Sequence, residues 1–534
     1  MAQRASLFTS RGHFWAFWGG CVAVTVGVLL HIPMFLMGRH NHYRLAGMPM
    51  GNGMLFGMFL IIAGFAATAY GLLPRRDLHS VSYEEIAPPE DAPLNRAHWI
   101  QIFLLATALI IDVMKAATLG FVVPGMRVEY GLTFAAASLL PFSGLLGTTL
   151  GSFMWGALAD LYGRRATILL AAVIFMGTSI CGAMPSYDWN IVMCFLMGIG
   201  AGGMLPVGYA LLAEIMPTRH RGWSLVLVGG IGTVVGYFAT SVLSALLQPT
   251  FGWRILWLIN LPIALILVVV SPALQESARF LQSMGRIDEA RETLARFGIS
   301  IETGKTARTA QPAKASAPAP VTFRGFIGVT IALTLAALAW GFVNYGILLW
   351  IPGSLVAEGR SMGVASALIA RSTLIAIPVI LLAAWLYSIW STKGLLILSI
   401  GITTLGLIAI PVRHLTSVPF LTSPVLSLIL IIAGSCAVIS LLLPYATESY
   451  PLRIRGRATG WVAGFSKAGG LAAQATGALA LVPALGIAAL LVAIPSALAM
   501  LLIFILGRDT KGRDLRELEA AASSNLEAAS VVSE

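Results

Sequence analysis

Apolar residues run along this chain in blocks about 20 residues long, separated by short polar stretches. Neither the alternation of half-buried strands nor the single apolar stripe of a soluble helix dominates the blocks. A helix of about 20 apolar residues crosses a hydrocarbon core of about 30 Å, so each block of that length is a candidate span. Fourteen transmembrane helices are predicted on that ruler. Two come first, near 13–37 and 47–73, followed by a polar stretch holding Pro88, Pro89 and Pro93. Twelve more, spans 1 to 12, lie near 99–123, 135–158, 166–184, 190–213, 223–247, 255–272, 324–351, 363–387, 394–412, 425–447, 458–483 and 485–506. After span 6 the pattern changes. Phe280, Met284, Ile287, Leu294 and Phe297 fall on one stripe between Glu276 and Gly298, which predicts an amphipathic helix beneath the bundle. From Thr303 to Pro320 the chain reads as a loose Ala/Pro-rich linker, and the tail after Gly507 is charged, then Ala/Ser-rich. The expected division is a hairpin and connector over 1–98, a six-helix bundle over 99–272 and a cytoplasmic central loop over 273–322. A second six-helix bundle over 323–506 and a tail over 507–534 complete it.

Composition excludes the soluble alternative. Of 534 residues 57% are hydrophobic and only 11% charged, against about 25% charged in soluble domains. The fold class expected is an all-α polytopic membrane protein. Lys and Arg set its orientation. The loops on the side of Gly163-Arg164-Arg165 hold 20 of them, while the opposite loops of the twelve spans hold four: Arg127, Arg254, Arg360 and Arg413. The first side is therefore cytoplasmic, and both termini are expected there. The net charge of +11 then reports topology, and no nucleic-acid partner is expected. Cys21, Cys181, Cys194 and Cys436 all lie inside apolar blocks without paired spacing and read as core residues. The first apolar run is too long for a secretory signal and lacks its cleavage site. His31, Met34, Met37, His40, His42, Met48, Met50, Met54 and Met58 near the hairpin's outer loop follow no tight ligand spacing, so packing is expected there and no metal or cofactor.

An internal repeat divides the twelve spans into six and six. Glu214-Ile-Met-Pro217-Thr-Arg219-His-Arg221-Gly222 follows span 4, and Glu448-Ser-Tyr-Pro451-Leu-Arg453-Ile-Arg455-Gly456 follows span 10. Both read E-x-x-P-x-R-x-R-G. After span 2 comes Gly156-Ala-Leu-Ala-Asp160-Leu-Tyr-Gly163-Arg164-Arg165, whose glycines permit a tight turn and close helix approach. At the matching place after span 8 Ser388 stands where the first segment has Asp160, and only Lys393 keeps the charge.

The G-x-L-A-D-x-x-G-R-R segment resembles the loop signature of the major facilitator superfamily. Gln275-Glu276-Ser277-Ala278-Arg279-Phe280-Leu281 is similar to the P-E-S-P-R-F-L run of its sugar-porter and metabolite:proton symporter branches, and Asp509-Thr510-Lys511-Gly512 to their E-T-K-G end signature. The resemblance covers about 99–520 and implies a 6+6 bundle working by alternating access, here with two additional N-terminal spans. It also implies a cytoplasmic gate in which Asp160, Arg164, Glu214 and Arg221 latch the first half, with Gly156, Gly163 and Arg165 in the same signature. Glu448 and Arg455 would latch the second half. Three positions depart from the pattern. Cys194 stands near where the family often has a coupling Arg, Lys115 replaces the second acid of F-x-D-G-Y-D, and span 5 lacks the antiporter element G-P-x-x-G-G.

Asp112, Lys115, Arg371 and Lys467 lie deep in spans, where charge is costly and marks pathways or pairs. Asp112 lies about 20 Å from the inner edge of span 1 and Arg371 about 12 Å from the outer edge of span 8. Gln474 follows Lys467 by seven residues, on the same helix face. Asp112 is the proton-coupling candidate. Three cations against one carboxylate favour an anionic solute, with Lys115, Arg371, Lys467, Gln474, Trp340, Asn344 and Tyr345 as substrate-contact candidates. The expected activity is secondary active transport of a small organic anion such as a carboxylate by proton symport. The protein is expected to work as a monomer in the cell (inner) membrane. A proton-driven exporter and a transporter-like receptor are the alternatives. No H-E-x-x-H, phosphate loop or nucleophile–base pair points to an enzyme.

Overall fold

The computed structural model describes residues 10–73, 92–299 and 326–510, apart from 414, 416–417, 419–421 and 451. Backbone alone is described at Ser271, Ser283 and 452–456. The expected linker over 303–320, most of the polar connector and the tail beyond Thr510 lie outside these residues.

The apolar blocks form helices because the bilayer offers backbone groups no partner except the helix itself. Two come first, α1 (Arg11–Asn41) and α2 (Asn52–Leu72). The N-terminal bundle follows as α3 (Arg96–Tyr130), α4 (Phe134–Tyr162), α5 (Arg164–Ala183), α6 (Tyr187–Ile215), α7 (Thr218–Phe251) and α8 (Ile255–Val270). Small polar residues start these helices where the sequence leaves the apolar pattern. Asn95 accepts from the amides of Ala97 and His98, Thr133 from Ala136 and Ser186 from Trp189.

Beneath the bundle lie α9 (Ala278–Ser283) and α10 (Ile287–Arg296). The single amphipathic helix expected there is therefore two helices, broken at Gly285, whose φ of 74° is left-handed. Its stripe still buries Phe280, Leu294 and Phe297. The second bundle consists of α11 (Ile327–Ala357), α12 (Met362–Ile389), α13 (Thr392–Val412), α14 (Pro424–Ser449), α15 (Leu452–Ala478) and α16 (Leu485–Leu506).

Among the described residues 12 helices are long and apolar enough to cross a membrane, α1 and α2 included. The other two predicted spans are the short α8 and the more polar α15. The two bundles meet along α7 against α12, α4 against α15 and α3 against α11. The hairpin α1–α2 packs on α5, at the flank of the first bundle and away from this seam. Its two helices touch backbone to backbone. A Cβ on Gly20 would lie 2.5 Å from the Gly64 carbonyl, and one on Gly64 would lie 2.7 Å from the Gly20 carbonyl.

Candidate functional site

At the seam, side chains from both bundles enclose a cavity of about 70 Å³. The first bundle presents Asp112 from α3, Thr148 from α4, and Thr233 and Tyr237, one turn apart, from α7. The second presents Trp340, Asn344 and Tyr345 from α11 and Lys467 from α15. Residues Val343–Ile347 form a π-turn in α11. Such a turn displaces carbonyls from the helical ladder, and here the Tyr345 carbonyl accepts from the Gln474 amide. The Tyr345 hydroxyl accepts from Lys467 Nζ at 2.7 Å, and the ammonium stands 5.0 Å from the ring centroid. Trp340 meets Tyr345 edge-on at 5.6 Å and donates its indole N–H to the Ser435 carbonyl at 2.9 Å.

Asp112 Oδ1 is buried and has no hydrogen-bond partner among the described residues. An unpartnered buried oxygen is costly, so the site favours a proton or a donor arriving at that atom. An acid on one bundle thus shares a cavity with a base, two aromatic rings and an amide on the other.

Two sequence candidates stand elsewhere. Lys115 is fully buried inside the first bundle and does not line the cavity. Its Nζ donates to the Phe175 carbonyl at 2.6 Å and to Thr178 Oγ1 at 2.5 Å, and stands 3.5 Å from the Phe175 ring centroid. No ion pair joins it to Asp112 among the described residues. Arg371 is exposed on the outer face of α12 with Leu374 and Ile375, while Ser372 and Thr373 face inward. Gln474 is buried behind Tyr345 and acts on the cavity through it. Thr148, Thr233 and Tyr237 went unremarked in the sequence. Their only signal is polar side chains at helical spacing within apolar spans.

The charged signature residues come together at one end of the bundles. Arg164 Nη2 reaches Asp160 Oδ1 at 3.2 Å and Glu214 Oε1 at 3.0 Å, and Nη1 donates to the Ala159 carbonyl at 3.1 Å. Glu276 accepts from the amides of Arg164 and Arg165, both at 3.0 Å, and so caps α5 from the central loop. Gly163 sits in this turn at φ 101°, and a Cβ there would lie 2.4 Å from Glu276 Oε2. Gly156, by contrast, has open space where a Cβ would stand, so close helix approach does not require it. Burial raises the Glu276 carboxyl above its ordinary value, partly offset by the amides of Ser277, Arg165 and Arg164 and by the Arg164 charge.

The halves meet on this side where Tyr387 and Glu448 approach Gly222. Arg221 lies beside that contact, donating to the Met216 carbonyl at 3.5 Å. Thr510 donates to Glu448 at 2.7 Å, and Asp509 accepts from Thr392 at 3.0 Å, which ties the end signature into the second half of the gate. The side chain of Arg455 lies outside the described residues. At the opposite end of the bundles a vestibule of about 560 Å³, lined by Arg127, Phe134 and Trp350, reaches down to Gly120 and Leu349. Leu349 also lines the central cavity, and the Gly120–Leu349 approach with the Tyr237–Leu348 hydrogen bond at 3.1 Å closes the passage between them.

Two six-helix bundles around a central, largely apolar cavity that holds one acid and one base have the architecture of a membrane transporter. The chain belongs to the Major Facilitator Superfamily, whose family model matches residues 105–474. It is 27% identical over 390 residues to the niacin transporter NiaP of Acinetobacter baylyi, covering 72% of this chain and 87% of that protein. The 4-hydroxybenzoate transporter PcaK of Pseudomonas putida is 31% identical, over 51% of this chain and 62% of its own length. The gallate transporter of the same species is 30% identical, over 52% and 65% respectively. A solved structure of the proton:xylose symporter XylE bound to 6-bromo-6-deoxy-D-glucose superposes with a TM-score of 0.63 at 19% identity, covering 79% of this chain and 98% of that one. The expected family and 6+6 fold hold, and the chain is a transporter, not an enzyme.

Proposed function

We propose that this protein carries a small aromatic carboxylate together with a proton, by alternating access, across the cell (inner) membrane. The observation that carries the reading is the opposition of Asp112 and Lys467 across one cavity that also presents Trp340, Asn344 and Tyr345. Lys467 supplies the charge that a carboxylate requires. The two aromatic rings supply an apolar wall for the solute's ring, and Asn344 a polar contact. Asp112 takes the proton, so that anion and proton enter a low-dielectric space as a neutral pair. The names of the relatives, transporters of niacin, 4-hydroxybenzoate and gallate, support the same solute class.

The cavity of about 70 Å³ is below the roughly 300 Å³ of an ordinary ligand pocket, which fits a closed intermediate. Substrate enters when Gly120 and Leu349 part, and leaves when the Arg164 latch and the Gly222–Glu448 approach open. The charge asymmetry of the loops supports cytoplasmic termini, and the cavity is complete within one chain, as a working monomer requires.

Reconstituted protein with an acid exterior should accumulate at least one of niacin, 4-hydroxybenzoate and gallate above equilibrium. A protonophore should abolish that accumulation. Accumulation of xylose alone, or of carboxylates with no response to the protonophore, contradicts the reading.

A further inference from the structure

On the outer face a third pocket, of about 340 Å³, lies between the loop of the N-terminal hairpin and the ends of α3 and α7. His42, Tyr43 and Arg44 form one wall, and Pro124, Val128 and Trp253 form the other. Its size falls within the range of ligand pockets. It shares Pro124, Val128 and Val356 with the outer vestibule, whose floor at Gly120 and Leu349 is the closure above the central cavity.

The loop is built into place. Glu129 Oε1 accepts from the amides of Leu45 and Ala46 at 2.7 and 3.0 Å, and from Arg254 Nη2 at 2.7 Å. Its Oε2 accepts from the Trp253 indole at 2.8 Å and from Arg254 Nε at 3.3 Å. Tyr43 stacks on Phe35 at 4.8 Å. His42 and Tyr43 are both left-handed, at φ 50° and 59°, a costly state for residues with a Cβ that persists only where the surroundings impose it. The hairpin therefore holds Tyr43 and Arg44 at the rim of this pocket, though α1 and α2 take no part in the seam.

One acid, Glu129, also lines the pocket, and its carboxylate is already taken up by Arg254, the Trp253 indole and the loop amides. Of the external acids, Glu129 is paired with Arg254 and Glu358 with Arg413, leaving Asp188 at the start of α6. Arg44 is exposed and has no ion-pair partner among the described residues. One cation then stands in each of three successive spaces, the last two separated by the Gly120–Leu349 closure: Arg44 in the outer pocket, Arg127 in the vestibule and Lys467 in the central cavity. Such a series draws an anion inward and repels cations.

We propose that the pocket under the hairpin loop is an outer loading site for an aromatic carboxylate. Arg44 takes the carboxylate, and the ring lies against Tyr43, Pro124 and Val128. The site rests on the proposed function only for the class of anion.

The test is photolabelling of the full-length protein in nanodiscs with 4-azidobenzoate and, separately, neutral 4-azidobenzamide, followed by peptide mapping. Carboxylate adducts are expected on residues 38–46 or 249–254, competed by excess benzoate. In Arg44→Gln they should fall about three- to fivefold, as for loss of one exposed charged contact, while adducts near Tyr345 persist. Equal loop labelling by the amide, carboxylate adducts confined to the central cavity, or no change in Arg44→Gln overturns the loading site. Uptake measured on the same preparation separates the two readings. Loop adducts without carboxylate uptake support the pocket and count against the cargo, whereas uptake without loop adducts overturns the pocket alone.

Discussion

Tyr345 holds the second bundle's wall of the cavity together, since its hydroxyl receives Lys467 and its carbonyl receives Gln474. The ammonium is thereby held at the cavity opposite Asp112, with no direct ion pair between them among the described residues. Lys467→Met should raise KM for the carboxylate about 10- to 100-fold, the worth of one charge-assisted contact in a partly desolvated site. Uptake kinetics that leave KM unchanged would remove Lys467 from the binding site. Glu276 gives a pH signature at the gate. Burial raises its pKa in the folded protein, so its contribution to stability is full below the unfolded value and is lost as pH rises through the folded one. The Tm of wild type relative to Glu276→Gln should therefore increase as pH falls from neutral towards the ordinary glutamate range. A difference that is flat with pH, or that shrinks on acidification, contradicts the assignment. Asp112, Lys467, Trp340, Asn344 and Tyr345 were legible as polar or aromatic residues within apolar blocks. Lys115 and Arg371 were picked by depth, which carries no information on helix phase. A turn of about 60° about the α3 axis separates Lys115 from Asp112 and points it at Phe175. One residue of phase puts Arg371 outside α12 and Ser372 inside.

At the level of elements, the spans were readable because a bilayer leaves the backbone one local solution, and the caps fell on Asn95, Thr133 and Ser186 as residue chemistry dictates. The break at Gly285 was not readable from the apolar stripe, because the stripe resumes in phase beyond it. Glu276 was visible as part of a motif, yet its partners, the Arg164 and Arg165 amides, are more than a hundred residues away and leave no local trace. The hairpin α1–α2 depends on contact between backbones at Gly20 and Gly64. A leucine at 64 would push its Cβ to within 2.7 Å of the Gly20 carbonyl and 2.9 Å of Val24. Gly64→Leu should destabilise the hairpin by about 1–3 kcal/mol, typical of overpacking, and expose the loop at His42–Arg44 to protease earlier in a heating series. A proteolysis profile identical to wild type would show that the close approach is not needed. A Gly64→Ala variant should fall between the two.

Across the whole molecule, the repeat E-x-x-P-x-R-x-R-G already divided the chain into halves. Asp160, Arg164 and Glu214 form ion pairs in the first, and Glu448 of the second accepts from Thr510 of the end signature. What seals the cavity was not legible. The Gly222–Glu448 and Gly120–Leu349 approaches join residues from different bundles, and neither has a signature in its own neighbourhood. In the proposed cycle an acid on one half and a base on the other couple a proton to an organic anion, and Asp112 carries the proton. In liposomes, Asp112→Asn should abolish accumulation driven by a pH gradient while sparing exchange of labelled for unlabelled carboxylate, which needs no net proton movement. Gradient-driven accumulation by Asp112→Asn equal to that of wild type would contradict the account.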